Sequence, residues 1–264
     1  MRPITVNTLA RRKQAGEPIT CLTAYDASFA ALLDRCGVDV ILVGDSLGMV
    51  VQGHPTTLPV TIDDMCYHVA NVARVTHNAM IMADLPFLGD ADAPTALQQS
   101  GALLRAGAHM VKVECGLAEL PIVERLVAAG IPVCAHLGLT PQAVHRMGGY
   151  RVQGRDPHAA AEMESLAARL EAAGAQGLLL ESVPEELANA IVRATDIPVI
   201  GIGASPRCDG QVLVIQDVIG LTPEPPRFAR DFLGDGGSLE GAVRAYCEAV
   251  RARTFPESGV HTYR

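Results

Sequence analysis

Five places in the chain carry side chains able to do chemistry, each closing a short apolar run. Asp45-Ser46 follows VDVILVG, Asp84 follows MIMA, Lys112 and Glu114 sit in HMVKVE, His136 follows IPVCA, and Glu181 follows GLLL. Asp45, Asp84 and Glu114 belong to three successive runs. Carboxylates brought together away from water repel one another unless a cation lies between them. Hard oxygen donors suit one Mg²⁺, which keeps positions for water or substrate oxygens. A single acid in such a place could instead cap the following helix. Three on consecutive runs, beside a lysine, point to a metal site.

Lys112 admits two chemical roles, a clamp for a substrate carboxylate or a Schiff-base nucleophile. A Schiff base needs a neutral amine. Glu114 shares its strand face and Asp84 is close, so the ammonium is favoured and with it the clamp. The plain alternative is a structural Lys–Glu pair. Glu181 follows three leucines, and an acid among apolar neighbours has the raised pKa of a general base or acid; a helix-capping role ahead of Pro184 is the competing reading. His136 could orient substrate or shuttle a proton, or simply be a hydrogen-bonded core residue. Gly201-Ile202-Gly203-Ala204-Ser205 has the look of a phosphate loop, a short pattern that tight strand–helix packing also produces. Metal, ammonium and opposed base together describe enolate chemistry on a 2-oxo acid: the cation binds the carboxylate and keto oxygens while the base removes the adjacent proton. The electrophile is left open.

The elements that must place these residues repeat along the chain. A helical segment ends in a small residue and Gly, and an apolar strand follows at once, at Gly37, Gly107, Gly130 and Gly174. Gly past a helix end takes the left-handed conformation that stops it. Continuously apolar strands between helices belong to a parallel sheet covered on its outer face. The strands are expected at Ile19–Thr23, Val38–Val43, Met80–Ala83, His109–Glu114, Ile131–His136, Gly177–Glu181, Ile197–Ile202 and Asp217–Gly220. Eight such strands fit a (β/α)₈ TIM barrel, whose working face is the C-terminal end of the strands. Period-two alternation then turns Lys112 and Glu114 inward together. Thr61-Ile62-Asp63-Asp64 reads as a capping box, Pro94 and Pro184 as first-turn prolines, and Met163, Leu166, Ala167 and Leu170 as a stripe facing the sheet. Residues 1–264 read as one barrel domain, with a C-terminal helical appendage from about 221 to 264.

The chain has 264 residues, Lys+Arg 21 against Asp+Glu 29, a net charge of −8, and only two lysines, Lys13 and Lys112. That length supports a large core without disulfides or structural metal. A net-acidic chain lacking a basic run argues against nucleic-acid binding. Seven scattered cysteines with no C-x-x-C spacing fit a reducing compartment. No secretory h-region and no apolar stretch of about 20 residues appears, so a cytoplasmic protein with no membrane partner is the expectation.

Several blocks resemble ketopantoate hydroxymethyltransferase: TAYD (Thr23–Asp26), VGDSLGMVVQGHPTTLPVT (Val43–Thr61), ADLPF (Ala83–Phe87), RAGAHMVKVE (Arg105–Glu114), PVCAHLGLTPQ (Pro132–Gln142), GGYRVQGR (Gly148–Arg155), EAAGAQGLLLES (Glu171–Ser182) and IPVIGIGA (Ile197–Ala204). They run in order over nearly the whole chain. The resemblance implies a barrel of the phosphoenolpyruvate/pyruvate type that transfers a one-carbon unit from 5,10-methylenetetrahydrofolate to 3-methyl-2-oxobutanoate, giving 2-dehydropantoate for pantothenate synthesis. It implies Mg²⁺ on Asp45, Asp84 and Glu114, oxo-acid contacts from Asp45, Ser46, Asp84 and Lys112, Glu181 as proton acceptor, and a homo-oligomer, in bacteria commonly a decamer. Two departures stand out. Ser205-Pro206-Arg207-Cys208 precedes Asp209-Gly210-Gln211 where the family usually has Gly-x-x-x-Asp-Gly-Gln, and Gln216-Asp217 replaces the usual His-Asp. Both fall on the strand-seven and strand-eight side and bear on folate contacts or subunit packing. A Mg²⁺-dependent C–C lyase of the isocitrate lyase or oxaloacetate-cleaving type shares barrel, metal and enolate. Such lyases carry a cysteine-bearing loop after strand four, where this chain has only Cys115-Gly116-Leu117-Ala118-Glu119. A metabolite-binding barrel without catalysis is a third reading, opposed by the intact carboxylates, Lys112 and Glu181.

Overall fold

Short strands of apolar residues, several released from a helix by a left-handed glycine, close here on themselves. The computed structural model describes residues 3–264. Eight parallel strands form a closed barrel in sequence order: β1 Ile19–Thr23, β2 Val40–Val43, β3 Met80–Asp84, β4 Met110–Glu114, β5 Val133–Gly138, β6 Gly177–Glu181, β7 Val199–Ile202 and β8 Gly210–Leu213. Nearly every strand residue is buried, as a barrel filled inside and covered by helices outside requires. Gly37, Gly107, Gly130 and Gly174 all have positive φ. The capping box at Thr61 is present, with its partner Asp64. Pro94 lies in the first turn of helix Ala93–Ala106 and Pro184 caps helix Glu185–Ala194. Leu166, Ala167 and Leu170 are buried on helix Pro157–Ala172, and Met163 packs against the core beside them.

The eighth strand is displaced from its expected place. Asp217–Gly220 is no strand: residues Ile215–Val218 form a helical turn, and Gly210–Leu213 closes the barrel instead. The physical reason is register. Ile19 to Leu22 pair with Gly210 to Leu213, and Ile200 and Gly201 pair with Gly210 and Gln211, so the segment straight after β7 joins both edges. Gly210 is needed there, because a Cβ would run into the backbone of Ile19. Asp217 is thereby moved past the C-terminal end of its strand, onto the working face.

Residues after Gly220 wrap the barrel. Tyr246, on helix Leu239–Arg251, places its hydroxyl 2.9 Å from Cys21 O and 2.8 Å from Gln211 O. Its ring meets Phe232 and Phe255 edge-on. The chain then returns to the strand-six side, where Glu185 N–H donates to Tyr263 O at 2.9 Å and Glu185 Oε2 accepts from Ser258 and Thr262. No helix among the described residues is long and apolar enough to cross a membrane.

Candidate active site

The strand ends set the site through register. Asp84 lies beside Lys112, Glu114 beside His136, and Gly138 beside Glu181. Strand alternation turns Lys112 into the barrel mouth as expected, together with Asp84, His136 and Glu181, and the turn after β2 brings Asp45 and Ser46 to the same cavity of about 580 Å³. Gly138 adopts φ +98, and a Cβ there would strike Glu181 O, so only glycine lets β5 and β6 end this close. Ser182, next after Glu181, holds a left-handed backbone (φ 49) while buried, a strained conformation of the kind that gathers at functional sites.

Lys112 is the electrostatic centre. Its Nζ lies 3.3 Å from Asp84 Oδ1 and 3.1 Å from His136 Nδ1. Burial pulls its pKa down, but Asp84, Asp45, Glu114 and Glu181 outweigh that and hold it above the ordinary lysine value. An ammonium has only donors, so His136 Nδ1 must be the acceptor. The proton is thereby assigned to Nε2, which faces Glu181 Oε2 at 3.3 Å without the alignment of a hydrogen bond. Burial, reinforced by the Lys112 charge, presses the His136 pKa well down, so the ring is neutral. Burial lifts Glu181 to about 7, with Lys112 opposing. It lifts Glu114 to about 9 and raises Asp45 and Asp84, again against Lys112.

The three expected metal carboxylates are not equivalent. Asp45 and Asp84 face the cavity, and Asp45 N–H donates to Asp84 Oδ2 at 3.1 Å. Glu114 does not line it; Gln142 N–H donates to its two oxygens at 3.3 and 3.2 Å. The Gln142 side chain meanwhile donates to Asp45 Oδ2 and to Leu85 O, both at 2.8 Å. Among the described residues no three His, Cys, Asp or Glu side chains are already gathered as a metal cage. The donor chemistry nevertheless fits a hard divalent cation. Four acids face one ammonium, and Asp84 Oδ1 is buried with no aligned hydrogen bond.

Two contacts escaped the sequence. Gln142 lay inside the block PVCAHLGLTPQ without a motif of its own, and its link to both Asp45 and Glu114 appears only in the fold. Tyr25, in TAYD, shares a 2.9 Å hydrogen bond with Ser46 Oγ and orients that hydroxyl. The loop between β4 and the next helix spans only residues 115–119.

The sequence model of the family described as ketopantoate hydroxymethyltransferase matches residues 3–258. Proteins called 3-methyl-2-oxobutanoate hydroxymethyltransferase are similar throughout: that of Halorhodospira halophila (strain DSM 244 / SL1) is 54% identical over 254 residues, 96% of this chain and 92% of that one. The protein of Xylella fastidiosa (strain M23) is 54% identical over 264 residues, 99% and 97% of the two chains. Among solved structures, a phosphonopyruvate hydrolase complexed with oxalate and Mg²⁺ aligns with a TM-score of 0.63 at 16% identity, over 82% of this chain and 84% of that one. A 2,3-dimethylmalate lyase of the PEP mutase/isocitrate lyase superfamily aligns at 0.60 and 15% identity, over 79% and 80%. At such identities these two share the barrel and carry nothing further. Full-length similarity at more than half identity carries more, and the chain belongs to the ketopantoate hydroxymethyltransferase family of enzymes.

Proposed function

We propose that the enzyme moves a one-carbon unit from 5,10-methylenetetrahydrofolate to 3-methyl-2-oxobutanoate, with water supplying the hydroxyl oxygen and tetrahydrofolate leaving. The observation that carries this reading is the arrangement across the cavity: Asp45, Asp84 and Lys112 at one side, Glu181 at the other, and His136 between Lys112 and Glu181. Asp45 and Asp84 would hold Mg²⁺, which commonly takes one or two carboxylates and leaves its other positions to water and substrate oxygens. Glu114, held by Gln142, closes the same corner. When bound, the ion supplies a Lewis acid for the keto oxygen. Lys112 holds the oxo-acid carboxylate as an ammonium. Ser46, steered by Tyr25, donates to the same substrate end. Glu181 takes the C3 proton, and neutral His136 accepts from Lys112 and so holds the ammonium in place. The C3 carbanion so formed attacks the donor's methylene carbon.

The test is direct. Purified protein incubated with 3-methyl-2-oxobutanoate, Mg²⁺ and methylenetetrahydrofolate should form 2-dehydropantoate at a rate proportional to enzyme. Absence of that product, with the protein folded and all three present, would reject the reading.

A further inference from the structure

The cavity has room that the oxo acid leaves over. At about 580 Å³ it falls within the range for a drug-sized ligand, well beyond a five-carbon acid. Its part away from Lys112 is walled by Asp217, Thr222, Phe228 and Tyr263. Asp217 is only 6% exposed, and it lies there because β8 ends at Leu213 and the helical turn Ile215–Val218 follows. Thr222 Oγ1 donates to Asp217 Oδ1 at 2.5 Å, while Oδ2 takes no hydrogen bond from a described residue. A carboxylate offers about four acceptor sites, so most of this one's capacity is open to the cavity it lines.

The rings are as firmly built. Gly203 has φ +60, and a Cβ on it would press on both Phe228 and Tyr263 within about 3.0 Å, so the glycine lets both rings close on the end of β7. Tyr263 is fixed by its bridge to Pro184 and by the Glu185 N–H bond to its carbonyl. The Arg227 guanidinium covers its ring at 5.6 Å. A buried acceptor that shares one cavity with two aromatic side chains selects a flat heterocycle with adjacent N–H donors.

We propose that Asp217 reads the 2-amino-4-oxopyrimidine edge of the donor's pterin, accepting from N3–H and the 2-amino group, with Phe228 and Tyr263 flanking the ring. The inference rests on tetrahydrofolate being the carrier. Thr222 fixes the rotation of the carboxylate and so acts as a positioning residue.

Asp217→Asn keeps the size of the side chain and an oxygen for Thr222, but turns an amide N–H₂ towards the ligand's own donors. Tetrahydrofolate binding by the full chain, measured by calorimetry with Mg²⁺ present, should weaken about 10–100-fold, the scale of losing charge-assisted hydrogen bonds. Affinity for 3-methyl-2-oxobutanoate in the same format should move by no more than about twofold, as for a distant site. Tyr263→Leu should weaken tetrahydrofolate several-fold with the same selectivity. Wild-type affinity in Asp217→Asn overturns the subsite and leaves the donor reading standing. Equal loss of both ligands also overturns it, as a general structural effect. If the wild-type protein itself fails to bind tetrahydrofolate, the donor reading falls and the subsite with it.

Discussion

Glu181→Gln tests the base assignment most sharply, because it keeps the shape of the side chain and removes its basicity. Burial among the leucines of β6 places the carboxyl at about 7. About a tenth is therefore ionised at pH 6 and about nine tenths at pH 8. In the wild type, exchange of the C3 hydrogen of 3-methyl-2-oxobutanoate with deuterated solvent should rise roughly tenfold between those pH values and then level off. Proton NMR of the C3 signal reads this without any folate. The sign follows from the base form being the ionised one: a raised pKa delays activity to higher pH. In Glu181→Gln the exchange should fall by about 10²–10⁴-fold, the usual scale of general-base catalysis, and the remaining rate should lose the step near pH 7. His136 is a poor substitute, since its Nδ1 lone pair is spent on Lys112 and its Nε2 carries the proton. Exchange at the wild-type rate in the glutamine variant, with the wild type clearly active, would refute the assignment and the tautomer argument behind it.

Removal of divalent metal by a chelator should leave the circular dichroism unchanged and abolish turnover until Mg²⁺ returns; full turnover in protein shown metal-free by elemental analysis would contradict the carboxylate assignment. Borohydride reduction with the oxo acid present should leave no adduct, since Lys112 is held as an ammonium by four acids; a mass gain mapped to Lys112 would show a neutral nucleophile. Glu114→Gln should stabilise chelated protein by about 2 kcal/mol at pH 6, from the gap between an unfolded value near 4.5 and a folded value of about 9. The gain should grow as pH rises towards 9 and vanish below about 4.5, where both states are protonated; a denaturation series showing no pH dependence would reject it. Light scattering should give a particle of about ten times the 27.8 kDa of one chain, and a monomer at working concentration would exclude the decamer expected from the family.

How much of this was written in the sequence depends on distance along the chain. Apolar runs, the glycines that end four of the helical segments and the capping box at Thr61 are local patterns, and they specify an alternating β/α chain with reactive residues at strand ends. Period-two alternation was enough to turn Lys112 inward, because the pleat leaves no other choice. Strand eight was not local. Val212–Ile215 and Val218–Ile219 are both short and apolar, and only the need to pair with β1 and β7 at once selects Gly210–Leu213. That choice carried Asp217 to the mouth of the barrel. The same holds for Gln142, which reaches Asp45 from 97 positions away, and for Tyr263, which closes the cavity wall from the C-terminal segment. Residue types and spacing determined which chemistry the chain can perform; closure of the barrel decided which groups share one cavity, since register and close approach are properties of paired strands and not of any single segment.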